Sequence, residues 1–152
     1  MAPPQPGDRG STATGQAHLR QLIDSYAARL KANGAIRSPG VERAFGTVPR
    51  HRLLETFFHR PMNAADFTTV DHDPTRPHPE DLTLIYSDAA LGTRLVEQFG
   101  AWMPTSSTSQ PSLVADMLEL LDLTPGLRVL EVGGAPATTP RSWPRWSAIS
   151  AW

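Results

Sequence analysis

Residues 124–134 read TPGLRVLEVGG. Thr124-Pro125-Gly126 is a turn signal, and Leu127 to Val132 is a run of strand length closed by two glycines. A strand covered on both faces, as in a parallel sheet, has this pattern. Glycine at its carboxyl end lets the backbone approach a ligand closely, and Glu131 puts a carboxylate beside that approach. In a nucleotide-binding α/β domain a helix would start here. Pro136, Pro140 and Pro144 follow instead, and the dinucleotide fingerprint, with its fixed glycine offsets and following helix, is absent. On the residues alone, Val129 to Gly134 reads as a core strand with a tight turn.

The segment before this strand reads as helical. Pro111-Ser112 opens a helix, and Leu113, Val114, Met117, Leu118 and Leu121 are expected on its buried side. Further back, Leu19, Leu22, Ile23, Tyr26 and Leu30 recur at helical spacing, and Asn33-Gly34 ends that helix. Ser38-Pro39 supplies an N-cap and a first helical residue for a second helix carrying Val41, Ala44, Phe45 and Val48, closed by Pro49. Residues 71–81, DHDPTRPHPED, read as a polar loop, and 82–91, LTLIYSDAAL, as a short β-prone run with a turn. Helices first, then a helix–strand unit, predict an α/β fold at the beginning of a parallel sheet. Residues 1–15, rich in Pro, Gly, Ser and Thr, are expected to be a disordered tail.

Composition narrows the function classes. The 152 residues suffice for one domain, and a formal net charge of −1 with mixed signs gives no nucleic-acid or anionic-membrane footprint. There are no cysteines, so disulfide scaffolds and thiolate metal sites are excluded. The first residues lack the basic and apolar regions of a signal peptide, and no apolar run approaches a membrane span. A cytoplasmic protein with no nucleic-acid or membrane partner is expected. His51, His59, His72 and His78 show no i, i+4 metal spacing and are read as solvated. Arg50 and Arg52 could meet an acidic substrate but are read as the solvated basic end of helix two.

Taken in order, VERAFGTVPRHRLLE, YSDAALGT and STSQPSLVADMLELLDLTPGLRVLEVG resemble the protein-L-isoaspartate O-methyltransferase family over residues 38–134. That family shows Ala-Phe…Val-Pro-Arg, a Thr-Ile-Ser-x-Pro turn, a Met-Leu-Glu-Leu-Leu helix, then Arg-Val-Leu-Glu-Ile-Gly and a glycine-rich loop. The Ser-rich SSTSQP is similar to the actinobacterial branch. The resemblance implies a Rossmann-like fold that uses S-adenosyl-L-methionine to methylate a carboxylate on isoaspartyl residues of damaged proteins or peptides. A carboxylate, with a pKa of about 4, is already ionised at pH 7 and needs no general base. Catalysis then rests on orientation, an effect worth up to about 7–11 kcal/mol.

By position in the motif, Ser109 is the implied catalytic serine, its hydroxyl orienting the substrate carboxylate. Ser107 and Thr108 are implied cofactor-side neighbours, with Thr108 replacing the usual isoleucine. Without the resemblance, Ser109 before Pro111 reads as a helix N-cap or turn serine. Glu131 and Gly133 match the acidic residue and first glycine of the cofactor loop, and Gly134 stands where a small hydroxyl residue is usual. Regrouping plausible codons for residues 136–152 by one base gives Gly-Tyr-Asn followed by an Ala/Leu-rich helix, as the family requires. A change of reading frame near Gly134 to Pro136 is therefore expected, with 16–134 a truncated methyltransferase part and 135–152 an aberrant, unstructured tail. Such a chain is expected to be monomeric, poorly stable, prone to aggregate and inactive alone. Two alternatives stand beside this reading: aspartate O-methylation of a ribosomally made peptide, and a non-catalytic helical interaction protein binding through Trp143, Trp146 and Trp152.

Overall fold

The structure is a computed structural model. It describes residues 8–129 apart from 63 and 125, with side chains from Gly15 onward. Helix α1 spans Asp8–Ala32, so residues 8–15 of the expected tail belong to a helix. Its stripe is the expected one: Tyr26 and Leu30 are buried, with Leu19, Leu22 and Ile23 packed against the core. The helix ends as its sequence directs. Gly34 takes φ 84, and its N–H bonds the Lys31 carbonyl at 3.1 Å. Helix α2, Pro39–Thr47, starts with Pro39 in its first turn and the Ser38 Oγ accepting from the Val41 N–H at 3.3 Å.

A 3-10 turn, Arg50–Leu53, leads into strands β1, Thr56–His59, and β2, Thr68–Asp71. Helix α3, Pro79–Ile85, follows where a β-prone run was expected. The reason lies just upstream: Pro79 fixes helical φ in the first turn, and Glu80 and Asp81 stand where the helix dipole favours negative charge. Tertiary packing then selects Leu82 and Ile85 as the buried pair. Strands β3, Leu91–Gln98, and β4, Ala101–Thr108, form a hairpin, and α4 spans Pro111–Leu120.

The four strands make one antiparallel sheet in the order β2-β1-β3-β4. The β1–β3 junction is a close crossing at Phe58 and Gly92. A Cβ on Gly92 would stand 3.4 Å from the Cβ of Phe58, in van der Waals contact across the two strands. The expected parallel strand is described only in its first half. Leu127 to Val129 carry no strand pairing, the Leu82–Tyr86 part of the β-prone run is mostly helix, and Leu130 to Val132 lie outside the described residues.

The core sits between α1, α2, α3 and the inner end of the sheet. Phe57, Leu54, Ile85, Tyr86 and Leu91 are each at most 1% exposed, and fully burying such side chains contributes roughly 1.5–3 kcal/mol apiece. Tyr26 meets Tyr86 edge-on at 5.3 Å and Phe45 at 5.9 Å. Helix α4 differs from expectation. Its inward side is Pro111, Ala115 and Leu118, while Leu113, Met117, Leu120 and Leu121 are 53–81% exposed. The physical reason is close approach: the small Ala115 lets α4 seat against the core, which turns the bulky apolar side outward. Glu119 secures that seat. Its carboxylate accepts the N–H groups of Arg37 and Ser38, each at 2.8 Å.

Candidate functional site

β4 runs directly into the segment that carries Ser107, Thr108 and Ser109. Ser107 pairs with Gly92 and Thr108 with Leu91, so both are held by the β3–β4 ladder and partly buried. Ser109 lies beyond the last pair, at the junction of strand and helix, and is exposed. Its hydroxyl has no hydrogen-bond partner among the described residues, so it is not the helix cap that its place before Pro111 suggests. Gln110 is the N-cap residue and makes no side-chain cap. The capping group comes from elsewhere in the chain: Asp88 Oδ1 accepts the Ser112 N–H at 2.8 Å. The capping role of Asp88 was not legible from its local sequence.

Arg50 stands behind this strip. Contrary to the solvated reading, its Nη2 donates to Thr108 Oγ1 at 2.8 Å, and its Nε is buried with no hydrogen-bond partner among the described residues. The guanidinium also meets the Tyr26 phenol. Burial raises that phenol's pKa, and the Arg50 charge and hydrogen bond act in the lowering direction. Beneath lies a buried polar chain. His51, 4% exposed, places Nδ1 2.7 Å from the Tyr86 hydroxyl. His72, 5% exposed, places Nε2 3.1 Å from the His51 carbonyl and Nδ1 3.1 Å from Asp81.

Neither His51 nor His72 is solvated as expected; both are enclosed by partners distant in sequence. Burial, with the Arg52 charge and His72 adding to it, lowers the His51 pKa to about 4, so this ring is neutral at pH 7. Burial likewise pushes the Tyr86 phenol up to about 12, leaving its proton free to be donated to His51. At His72 a carbonyl can only accept, so Nε2 carries a proton. Nδ1 faces the Asp81 carboxylate. The chain Asp81–His72–His51–Tyr86 ties α3, the end of β2 and the 3-10 turn into one unit, and Arg29 joins it by donating to the Tyr86 carbonyl at 2.8 Å. Arg50 precedes His51 in the same turn, so the unit adjoins the residue that bonds Thr108.

The structure thus brings Ser107, Thr108 and Ser109 together on one rigid strand end. Glu131, Gly133 and Gly134 lie outside the described residues. A depression lined by Ser38, Val41, Leu118, Glu119 and Asp122 sits at the opposite end of α4 and touches none of the three. Among the described residues no group of three or more His, Asp or Glu is placed to hold a metal, and no helix is long and apolar enough to cross a membrane.

Fold and strand end define a class. The family model described as protein-L-isoaspartate(D-aspartate) O-methyltransferase matches residues 21–138, and the chain belongs to that family. Four helices and a four-strand sheet are consistent with part of a methyltransferase fold. Among curated proteins, a protein-L-isoaspartate O-methyltransferase of Pyrococcus horikoshii is 33% identical over 104 residues, covering 68% of this chain. The chain spans 33% of that relative's length in the match. No solved structure matches it significantly.

Proposed function

We propose that the chain contributes the substrate side of an S-adenosyl-L-methionine-dependent methyltransferase acting on the carboxylate of L-isoaspartyl residues in proteins or peptides. The observation that carries this reading is Ser109. A serine at an exposed strand–helix junction ordinarily turns its hydroxyl to the helix N-terminus. Here Asp88 takes that role, and the Ser109 hydroxyl remains available to donate to a carboxylate. Thr108 beside it is anchored by Arg50, whose guanidinium adds positive charge next to the strip. A carboxylate is a nucleophile without deprotonation, so the residues need only hold it still and exclude wrong angles of attack.

The donor, when bound, supplies an electrophilic methyl group. Ser107, Thr108, Glu131, Gly133 and Gly134 are the residues proposed to hold it. Carboxylate and hydroxyl groups beside glycines suit a ribose and an amino-acid moiety, which offer hydroxyls and a cationic amine. The peptide-methylating alternative differs only in filling the strip with an aspartyl residue of a particular peptide, whereas the non-catalytic alternative uses Trp143, Trp146 and Trp152 and leaves the strip empty.

The test is titration of the purified full chain with an isoaspartyl peptide and its aspartyl counterpart, followed by transfer of a labelled methyl group from S-adenosylmethionine. The expected result is isoaspartyl-selective binding that Ser109→Ala weakens about tenfold. Equal binding of both peptides, or binding indifferent to Ser109→Ala, would overturn the reading. Methyl transfer by the chain alone would overturn the narrower proposal that it is inactive in isolation.

A further inference from the structure

The strand that ends at Ser107–Ser109 is also the open edge of the sheet. In the order β2-β1-β3-β4, the side of β4 away from β3 has no strand neighbour among the described residues. The hairpin is tight: Phe99 at φ 54 and Gly100 at φ 76 make a two-residue turn of the I′ kind. In such a hairpin the flanking pair, Gln98 and Ala101, is hydrogen-bonded, so the next pair, Glu97 and Trp102, is not. The backbone N–H and C=O of Trp102 therefore point away from β3. Two residues on, Pro104 occupies the equivalent outward position opposite Leu95, where its missing N–H leaves the ladder intact.

Three features say what this edge fits. First, it offers the outward N–H and C=O of Trp102 and the outward C=O of Pro104, groups that pair with an extended polypeptide. Second, residues 99–113 contain no charged side chain, so the edge lacks the lysines that usually guard such strands. Trp102, 53% exposed, and Met103, 48% exposed, instead flank it on opposite faces with apolar surface. Third, positive charge gathers only at the serine end, where Arg50 bonds Thr108 and the exposed Arg94 pairs with Ser106. Pro104 and the register shifts between Gly92 and Leu95 interrupt the edge, which disfavours long, uniform pairing with a second copy of β4.

We infer that β4 binds its substrate by strand addition, an extended peptide pairing with the backbone at Trp102 and laying its isoaspartyl carboxylate at Ser109. The inference rests on the function proposed above and adds how the peptide main chain is held. Seven residue steps separate Trp102 from Ser109, roughly 20 Å of strand, so a peptide needs about seven residues on one side of the isoaspartate to engage both ends. Affinity then comes from main-chain pairing, and selectivity from the serine end.

The experiment uses amide exchange on the full chain with a peptide carrying seven apolar residues beside isoaspartate, its aspartyl counterpart, and a version N-methylated at alternate backbone positions. The isoaspartyl peptide is expected to slow exchange at the Trp102 amide at least tenfold, and N-methylation to abolish this. Trp102→Pro, which removes the outward N–H, is expected to weaken binding at least tenfold more than Trp102→Ala, which keeps it. Binding at Ser109 with Trp102 exchange unchanged overturns the inference while leaving the isoaspartyl reading intact. Equal protection by the aspartyl peptide supports strand addition and removes the isoaspartyl reading. Protection of Trp102 in the free chain also overturns it, whether concentration-dependent, as for a second copy, or concentration-independent, as for residues 130–152. So does failure of the isoaspartyl peptide to bind, which removes the isoaspartyl reading as well.

Discussion

Asp88 and Ser112, 24 residues apart, share the hydrogen bond that starts α4: a carboxylate from the end of one segment caps the helix of another at 2.8 Å. The same carboxylate lies 3.4 Å from the Gln110 side-chain amide. The junction between β4 and α4 is therefore fixed from outside, and Ser109 is held in place without using its own hydroxyl. Asp88→Ala is expected to cost about 1 kcal/mol, the usual loss of a cap, with Asp88→Asn retaining most of it. Urea unfolding of the two variants checks this, and peptide binding at Ser109 should fall in parallel with the alanine variant only.

Ser109→Ala should leave stability within about 0.5 kcal/mol of the parent, since the side chain is exposed and has no hydrogen-bond partner among the described residues. Its effect is confined to isoaspartyl-peptide affinity. A large shift in the unfolding midpoint would show that the hydroxyl has a structural partner.

Acid should destabilise the fold over a defined range. The His51 ring has its pKa lowered to about 4 in the folded chain from an ordinary 6.5, so between these values only the unfolded chain takes up the proton. Stability from this group is complete above about pH 6.5 and falls as the pH drops toward 4, by about 3 kcal/mol in all. Tyr86→Phe leaves Nδ1 of His51 without its 2.7 Å partner and is expected to cost about 1–3 kcal/mol at neutral pH. Chemical denaturation at half-unit steps of pH reads both effects.

Glu119 acts in a lower range. Desolvation raises its pKa, but hydrogen bonds from Ser38 and Arg37 and the Arg37 charge together hold it below the ordinary carboxylate value. Its contribution is present above about pH 4.5 and is lost as pH falls through the depressed value. Glu119→Ala leaves the Arg37 and Ser38 N–H groups without this acceptor and is expected to cost about 1 kcal/mol, removing that acid-range slope.

Asp81→Ala should be more damaging than its partial exposure suggests. It removes the partner of a His72 side chain that is 0% exposed and loosens α3 from the end of β2. A loss of about 2 kcal/mol is expected by urea unfolding.

Much of the helical part was legible because each helix writes its period and its ends into adjacent residues. Tyr26 and Leu30 with Gly34, and Ser38 with Pro39, are signals within one or two turns. The sheet was not. β1 and β2 are four residues each, too short for alternation to register, and the β3–β4 turn uses Phe99 where asparagine or aspartate would have signalled a hairpin. The Phe99-Gly100 pair between Thr-, Val- and Trp-containing runs was the available clue. α3 was misread because Pro79 and its acidic neighbours were counted with the loop. Ser107, Thr108 and Ser109 were singled out through the order of motifs, whereas the contact of Arg50 with Thr108 was not legible, since it spans 58 residues. His51 and His72 were misplaced for the same reason: their burial depends on Tyr86 and Asp81, which local sequence cannot bring to them.

Leu113, Met117, Leu120 and Leu121 on the outer flank of α4 give the molecule a second, unused hydrocarbon surface. Whatever sheds water from that surface is linked to folding by mass action, adding RT ln(1 + [L]/Kd) to the free energy of unfolding. A melting temperature for this chain is thus a property of the solution as much as of the polypeptide. It should climb with added amphiphile, and with protein concentration if copies associate there. Replacing Met117 and Leu120 by glutamine should flatten both dependences.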